Sequence, residues 1–171
     1  MLRKLGKRSE AVMELQSAVE RLQRLARQNP DDVRVSEYLG LALHTLAAHR
    51  LEMGDHAGAE RDLERSLGLL EPLYRANPRK LTRLRDLADC YQVFGDLHAS
   101  RSEWKLAHGW YQKSLELWER WKEVGASSVY DRQRREFAAR LVAKATSISV
   151  DRSLEGSFTK KKDFKNSTTN R

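Results

Sequence analysis

One spacing recurs along the chain and constrains its fold more than any other feature: small and apolar residues return at intervals of 48 positions. The correspondence is clearest for the stretch 103–123, which has counterparts one and two intervals earlier. The matched sets are Ala107, Ala59 and Ala11; Tyr111, Leu63 and Leu15; Ser114, Ser66 and Ala18; Leu115, Leu67 and Val19; and Trp118, Leu70 and Leu22. An internal period of this length predicts an array of repeated supersecondary units.

Asn-Pro pairs mark the same interval. Asn29-Pro30 and Asn77-Pro78 lie 48 residues apart, and each follows a run with apolar residues at helical spacing. Proline cannot continue the helical hydrogen-bond ladder and disfavours helical geometry in the residue before it, so a helix ends at each pair. A last break is expected at 125–128. The sequence predicts six helices, with limits near Ser9 and Asn29, Asp32 and Met53, His56 and Ala76, Arg79 and Ser100, Glu103 and Glu123, and Val129 and Thr146.

The pattern divides the chain into three parts. Residues 1–7 are basic and are expected to form a frayed N-terminus, and residues 8–146 form the helical repeat domain. Residues 147–171 lack periodicity and are rich in Ser, Thr, Asn and Lys, so we expect a disordered, basic tail. Because the first helix corresponds to the second helix of a pair, the sequence also predicts a fragment, or a truncated homologue, of a longer array.

The repeated residues resemble the tetratricopeptide repeat family, in a variant whose helices exceed those of the usual repeat of about 34 residues. The residues that carry the resemblance are Leu43, Leu46, Ala47, Gly54, Asp55, Ala59, Leu63, Ser66 and Leu67 in one copy, and Tyr91, Phe94, Gly95, Ala107, Tyr111, Ser114 and Leu115 in the next. The resemblance implies an all-α fold, an α-α superhelix or solenoid of about six antiparallel helices. Arg50 and His98 stand where the family has an aromatic residue, so no subfamily is assigned.

The resemblance also implies a function, because tetratricopeptide domains bind extended peptides in a concave groove lined by the first helix of each pair. The 48-residue offset assigns the groove positions Leu41, His44, Thr45, Ala48 and Glu52 in one copy, and Asp89, Gln92, Val93, Asp96 and Ser100 in the next. These residues are mixed polar and partly acidic, which favours a neutral or basic peptide. The paired Lys and Asn with which chaperone-binding members hold a terminal carboxylate are absent from these positions.

The tryptophans allow two readings, core residues or anchors for a partner. Trp118 and Trp121 align with Leu70 and Leu73, so they are expected to be enlarged core residues. Trp110 aligns with Asp62 and is the one we single out as a candidate partner contact, since tryptophan is enriched in binding hot spots.

The charge supports a rival function. The formal net charge is +8, and basic residues lie at both ends, in Arg3, Lys4, Lys7 and Arg8 and in the run 160–162. Such a surface could bind nucleic acid or an anionic membrane, and that binding would fall steeply with salt. Charges of both signs alternate along most helices, however, so the sequence favours a solvated surface and a protein partner over nucleic acid.

No catalytic constellation appears, so we expect a non-catalytic scaffold without metal or cofactor. The histidines do not form a zinc-protease pair, and the glycines stand singly rather than in a phosphate loop. Cys90 is the only cysteine, which excludes an internal disulfide and favours a reducing compartment. The chain has no signal-peptide core and no apolar run long enough to span a bilayer, so we expect a cytoplasmic location. The stretch 111–118 is similar to repeat regions beside kinase domains in some bacterial signalling proteins, although this chain has no kinase motif.

Overall fold

The structure, a computed structural model, describes the backbone of residues 2–123 and 128–168 and the side chains of residues 9–121 and 128–150. All regular elements in these ranges are α-helices, which pack against their neighbours in chain order. They are α1 (Leu2–Gln28), α2 (Val33–Glu52), α3 (His56–Ala76), α4 (Leu81–Ser100), α5 (Trp104–Glu123) and α6 (Val129–Thr168). The prediction of an all-α fold with about six helices is confirmed for the described chain.

The helix limits follow the 48-residue offset. The helices α2, α4 and α6 begin at Val33, Leu81 and Val129, and α3 and α5 begin at His56 and Trp104. We therefore call α2 and α3 the first pair and α4 and α5 the second pair. By the same register, α1 is a second-of-pair helix and α6 is a first-of-pair helix.

Two helices extend beyond their predicted limits. The helix α1 begins at Leu2 rather than Ser9, and α6 continues to Thr168 rather than ending near Thr146, so both predicted limits are wrong. The segment 147–168 was expected to belong to a disordered tail, but it contains no proline and a single glycine, so no residue in it blocks the helical ladder. The predicted break at 125–127 lies outside the described residues. The division into a frayed start, a repeat domain and a tail stays a prediction.

The turns within the two pairs have the same geometry. Gly54 and Ser102, 48 residues apart, both have positive φ, of 83° and 61°. The amide of Asp55 donates to the Arg50 carbonyl at 2.9 Å, and the amide of Glu103 donates to the His98 carbonyl at the same distance. The side chains of these pairs also meet: the shortest Arg50–Asp55 and His98–Glu103 separations are 3.7 and 2.6 Å. The repeat is therefore conserved in backbone geometry and not only in residue type.

The contact between the helices of each pair also repeats. The Ser66 hydroxyl of α3 donates to the Gly40 carbonyl of α2 at 2.8 Å, and the Ser114 hydroxyl of α5 donates to the Ala88 carbonyl of α4 at 2.8 Å. Both serines are fully buried. A carbonyl inside a helix already accepts a hydrogen bond from the backbone of its own helix. The serine hydroxyl therefore acts as a second donor, and it reaches the carbonyl only where the two helices approach closely.

Where its two helices cross, the second pair has a smaller residue on its first helix and a larger residue on its second helix than the first pair has. Gly95 stands where the first pair has Ala47, and the Tyr111 ring stands where it has Leu63. A methyl group added at Gly95 would overlap the Tyr111 ring. The smaller residue on α4 therefore makes room for the larger one on α5, and all four residues are buried.

One apolar cluster runs through both pairs and reaches α6. Its members include Leu63 and Leu70 of α3, Leu87 and Phe94 of α4, Trp118 and Trp121 of α5, and Ala138 of α6. Smaller clusters join α1 to α2 around Val19 and α5 to α6 around Ala107. The helices α2 and α4 also contact each other directly, so the two pairs stack with their first helices adjacent.

Within residues 2–123 and 128–168, no helix combines the length and apolarity needed to cross a bilayer.

The crossing of the second pair yields a stability prediction. Gly95→Ala should lower the free energy of unfolding by about 1–3 kcal/mol, because the new methyl overpacks the Tyr111 ring. Gly68→Ala is the matched control, since its methyl meets no atom within 4 Å and should leave stability unchanged or raise it by up to about 1 kcal/mol. Urea denaturation measures both variants.

The double variant Gly95→Ala/Tyr111→Leu reproduces the residues of the first pair at this crossing. It should recover part of the loss, because the two positions are coupled. If the losses of unfolding free energy in the double variant were additive, or if Gly95→Ala and Gly68→Ala had equal effects, the size matching of residues 95 and 111 would be contradicted.

Candidate partner-binding face

The predicted groove residues of α2 and α4 lie on adjacent helices that share one surface. We call this surface the α2–α4 face and define it by Tyr38, Leu41, Thr45 and Ala48 of α2 and by Asp86 and Asp89 of α4. The Asp86 and Asp89 carboxylates are close enough to His44 of α2 to oppose the lowering of its pKa by burial. The face therefore combines residues from both helix pairs.

His44 lies beneath this face. Its side chain is 7% exposed and its Nδ1 atom has no hydrogen-bond partner within the described structure. Burial lowers the pKa of His44, and the Asp89 and Asp86 carboxylates oppose that shift only in part. The imidazole is therefore neutral near pH 7 and fills space between the two helices, with little area left for a partner.

The other predicted positions on α2 are accessible to different degrees. Thr45 is half-buried and its hydroxyl donates to the Leu41 carbonyl at 2.8 Å. Ala48 is half-buried against the main apolar cluster, and Glu52 is exposed at the end of the helix. Thr45 and Ala48 therefore belong to the α2–α4 face, and Glu52 lies beyond it, one helical turn further along α2.

On α4, the corresponding positions lie toward α6. Asp89 forms an ion pair with Arg134 of α6, and Val93 is buried. Asp96 accepts hydrogen bonds from the Tyr111 hydroxyl at 2.8 Å and from the Gln92 amide at 3.5 Å. The second copy of the predicted groove is thus already occupied by contacts within the protein.

Burial also raises the pKa of Asp96, and this effect outweighs the hydrogen bonds that it accepts. Ser100, the last predicted position on α4, is exposed and donates to the Leu97 carbonyl at 2.6 Å. Its hydroxyl oxygen is also 3.2 Å from Nδ1 of His56. It lies at the opposite end of the helix from Asp86.

Trp110 belongs to a different surface. Its ring stacks on Phe94 of α4 with centroids 4.4 Å apart, and the Lys113 ammonium lies 4.1 Å from its centroid. Trp110 is therefore half-buried. Its ring contacts Phe94 on α4 and Lys113 on its own helix. Trp118 and Trp121 are buried in the main cluster at 2% and 8% exposure, as their alignment with leucines predicts.

A cleft of about 460 Å³ lies beside Trp110 and is lined by Tyr91, Lys113, Glu116, Leu117, Glu119 and Arg120. The Tyr91 hydroxyl donates to Glu71 at 2.8 Å, and Arg120 donates to the Tyr74 hydroxyl at 2.9 Å. Charges of both signs line the cleft, so it offers no selection for an anion or a cation.

The sequence prediction missed Tyr38, which at 59% exposure is the most exposed apolar residue of the α2–α4 face. Leu41, which the prediction included, is 36% exposed on α2. Phe137, 48 residues beyond Asp89, is 37% exposed on α6. The predicted set began at Leu41, and extending it by one helical turn toward the N-terminus of α2 would have included Tyr38 and its counterpart Asp86.

Cys90, the single cysteine of the sequence, lies on α4 in the main apolar cluster. Cys90 is fully buried, and burial raises the pKa of its thiol to about 12, so it stays protonated and does not act as a nucleophile. Among the described residues, no cluster of three or more His, Cys, Asp or Glu side chains could hold a metal ion.

Comparisons with known proteins were made against family models and against curated sequences. No family model matches the chain, and no curated protein is significantly similar to it. The tetratricopeptide family therefore stays a resemblance carried by the residues themselves.

The environment of His44 predicts a pH dependence of stability. Because burial holds its pKa below the value of about 6.5 in an unfolded chain, the unfolded state binds the proton more readily as pH falls. The free energy of unfolding should therefore fall as pH drops below about 7. His44→Gln introduces the residue of the second copy, Gln92, and should reduce this fall, as measured by urea denaturation between pH 5 and pH 8.

His108→Gln, on α5, controls for general effects of removing a titratable imidazole. Equal pH profiles for the His44→Gln variant and the unmodified protein would show that His44 is not held neutral by burial.

Proposed function

We propose that this protein is a non-catalytic interaction scaffold that binds a basic, partly apolar segment of a partner protein on the α2–α4 face. The observation that carries the proposal is the exposure of Tyr38 and Leu41 on α2. Asp86 and Asp89 occupy the equivalent positions on α4, which contacts α2. Large apolar side chains next to each other on a surface are typical of interaction sites, and tyrosine is enriched among hot spots.

The acidic groups supply the preference for a basic partner, whose cations would share the Asp86 and Asp89 carboxylates with Arg85 and Arg134. Burial raises the pKa of Asp86, and the guanidinium of Arg85, 3.3 Å away, counters that shift. A cation from a partner would further favour the ionised carboxylate. Arg134 provides an example, within the protein, of a cation that binds both a carboxylate and an aromatic ring. Its guanidinium pairs with Asp89 and lies 5.6 Å from the Trp118 ring centroid.

We further propose that the helix pairs form a tetratricopeptide-like superhelix. The identical turns and the identical serine contacts support a constant geometry from one pair to the next. A constant rotation between pairs would bring the first helices α2, α4 and α6 to one side, where Tyr38, Asp86 and Arg134 occupy equivalent positions. The scaffold is proposed to act in the cytoplasm, where its single cysteine stays reduced, and to belong to a larger protein that takes part in signalling.

The proposal predicts a binding preference. A fluorescein-labelled peptide that alternates Arg or Lys with Leu or Phe should bind at least about tenfold more tightly than the same peptide with Glu in place of its cations. Tyr38→Ala and Leu41→Ala should each weaken binding of the basic peptide by about tenfold or more, because each removes a surface anchor. Fluorescence anisotropy at 150 mM salt measures the affinities.

Leu106→Ala is the matched control, because Leu106 is 53% exposed but lies on α5. It should leave the affinity unchanged. Binding that is insensitive to Tyr38→Ala and Leu41→Ala would contradict the assignment of the face. Tighter binding of DNA with a steep salt dependence would instead favour the rival basic surface.

A further inference from the structure

Two aromatic rings, one from α4 and one from α5, lie against the same ammonium group. The rings of Tyr91 and Trp110 have centroids 5.6 Å apart and an interplanar angle of 40°. The Nζ atom of Lys113 lies 4.1 Å from the Trp110 centroid and 5.5 Å from the Tyr91 centroid. Aromatic rings arranged around one cation are the means by which proteins recognise quaternary and methylated ammonium groups.

The Trp110 ring is held in place from its other side. Phe94 of α4 stacks on it with centroids 4.4 Å apart and an interplanar angle of 14°. Because Phe94 covers one face of the indole, the Lys113 ammonium lies over the opposite face. Phe94 is buried, whereas Lys113 is exposed. One face of Trp110 therefore belongs to the core, and the other is directed toward the surface, where a ligand can reach it.

The environment of the Tyr91 hydroxyl makes its ring more attractive to a cation. The hydroxyl donates to Glu71 of α3 at 2.8 Å, and burial together with the Glu71 carboxylate raises the pKa of Tyr91, so the phenol stays protonated. A hydrogen bond donated to a carboxylate increases the electron density of the ring, which strengthens its attraction for a cation. Glu71 also pairs with Arg75 at 2.6 Å, so its position beside Tyr91 is fixed from two sides.

The cleft of about 460 Å³ beside Trp110 gives a ligand access to these rings. Lys113 lines the cleft and also covers Trp110, so a rotation of its flexible side chain would open the indole to the cleft without moving the backbone. The lining carries two carboxylates and two cationic groups. Their charges cancel, so the aromatic rings decide which ligand is preferred.

We propose that Tyr91 and Trp110 bind the quaternary ammonium group of a small molecule, and that Lys113 occupies the same place when no ligand is bound. A lysine ammonium is strongly hydrated, whereas a quaternary ammonium has no N–H groups to lose from water, so it replaces Lys113 on the rings. The cleft has the volume of a small-molecule site. It shares no residue with the α2–α4 face, so this proposal and the proposed peptide binding can fail separately.

Nuclear magnetic resonance tests the site through the indole N–H signal of Trp110, which is identified by its loss in Trp110→Phe. Choline chloride should shift this signal in a saturable way relative to the same concentration of sodium chloride. The neutral molecule 3,3-dimethyl-1-butanol has the shape of choline without its charge, so it should bind at least about fivefold more weakly. Equal affinities for the two molecules, or no saturable shift with choline, would overturn the proposal.

Substitutions separate the roles of the residues. Lys113→Ala should tighten choline binding by about three- to tenfold, because it removes the ammonium that competes for the rings. Lys105→Ala is the matched control: it removes an exposed lysine from the same helix, about 12 Å further along its axis, and should leave the affinity unchanged. Isothermal titration calorimetry measures the affinities. Equal affinities of the Lys113→Ala and Lys105→Ala variants would overturn the competition with Lys113.

Trp110→Leu should weaken choline binding by about tenfold or more, and circular dichroism confirms that this variant remains helical. A peptide with trimethyllysine and vesicles of phosphatidylcholine carry the same cation on larger molecules. Neither should bind more than about threefold more tightly than free choline, because only the ammonium group is recognised. Tighter binding of either one, lost in Trp110→Leu, would show that the site serves a macromolecule or a membrane and would overturn the assignment to a small molecule.

Discussion

The close approach of the two helices within each pair is the constraint on which the rest of the structure depends. A hydroxyl that donates to a carbonyl of the neighbouring helix, as Ser66 does to Gly40, requires backbones separated by little more than one small side chain. Gly40 meets this requirement because a methyl group there would lie 2.7 Å from the Leu70 side chain.

The two pairs satisfy this constraint with different chemistry. In the first pair, Arg50 of α2 forms a 2.7 Å ion pair with Asp62 of α3, whose side chain is almost fully buried. In the second pair, His98 and Trp110 occupy these positions, and Trp110 stacks on Phe94 instead. Breaking a buried ion pair is costly because one charge is left without its partner. Each pair is therefore internally matched at these two positions, and exchanging one of the two residues alone would leave the other without its partner.

This matching explains how much of the fold could be predicted from the sequence. The 48-residue offset of Ala107, Ser114 and Trp118 located the helices, because a packing position tolerates only similar volumes and leaves a periodic signal. The start of α1 and the C-terminal end of α6 were not predicted correctly, because a helix end without a proline leaves little signal.

The candidate face was harder to predict, because accessibility depends on neighbours that a sequence pattern does not show. His44 and Asp96 were assigned to the groove from the 48-residue offset alone. Their burial was decided by neighbouring helices, since His44 lies near the Asp86 and Asp89 carboxylates of α4 and Asp96 accepts a hydrogen bond from Tyr111 of α5. Tyr38 was missed for the converse reason, since a single exposed tyrosine does not alter the apolar periodicity of its helix.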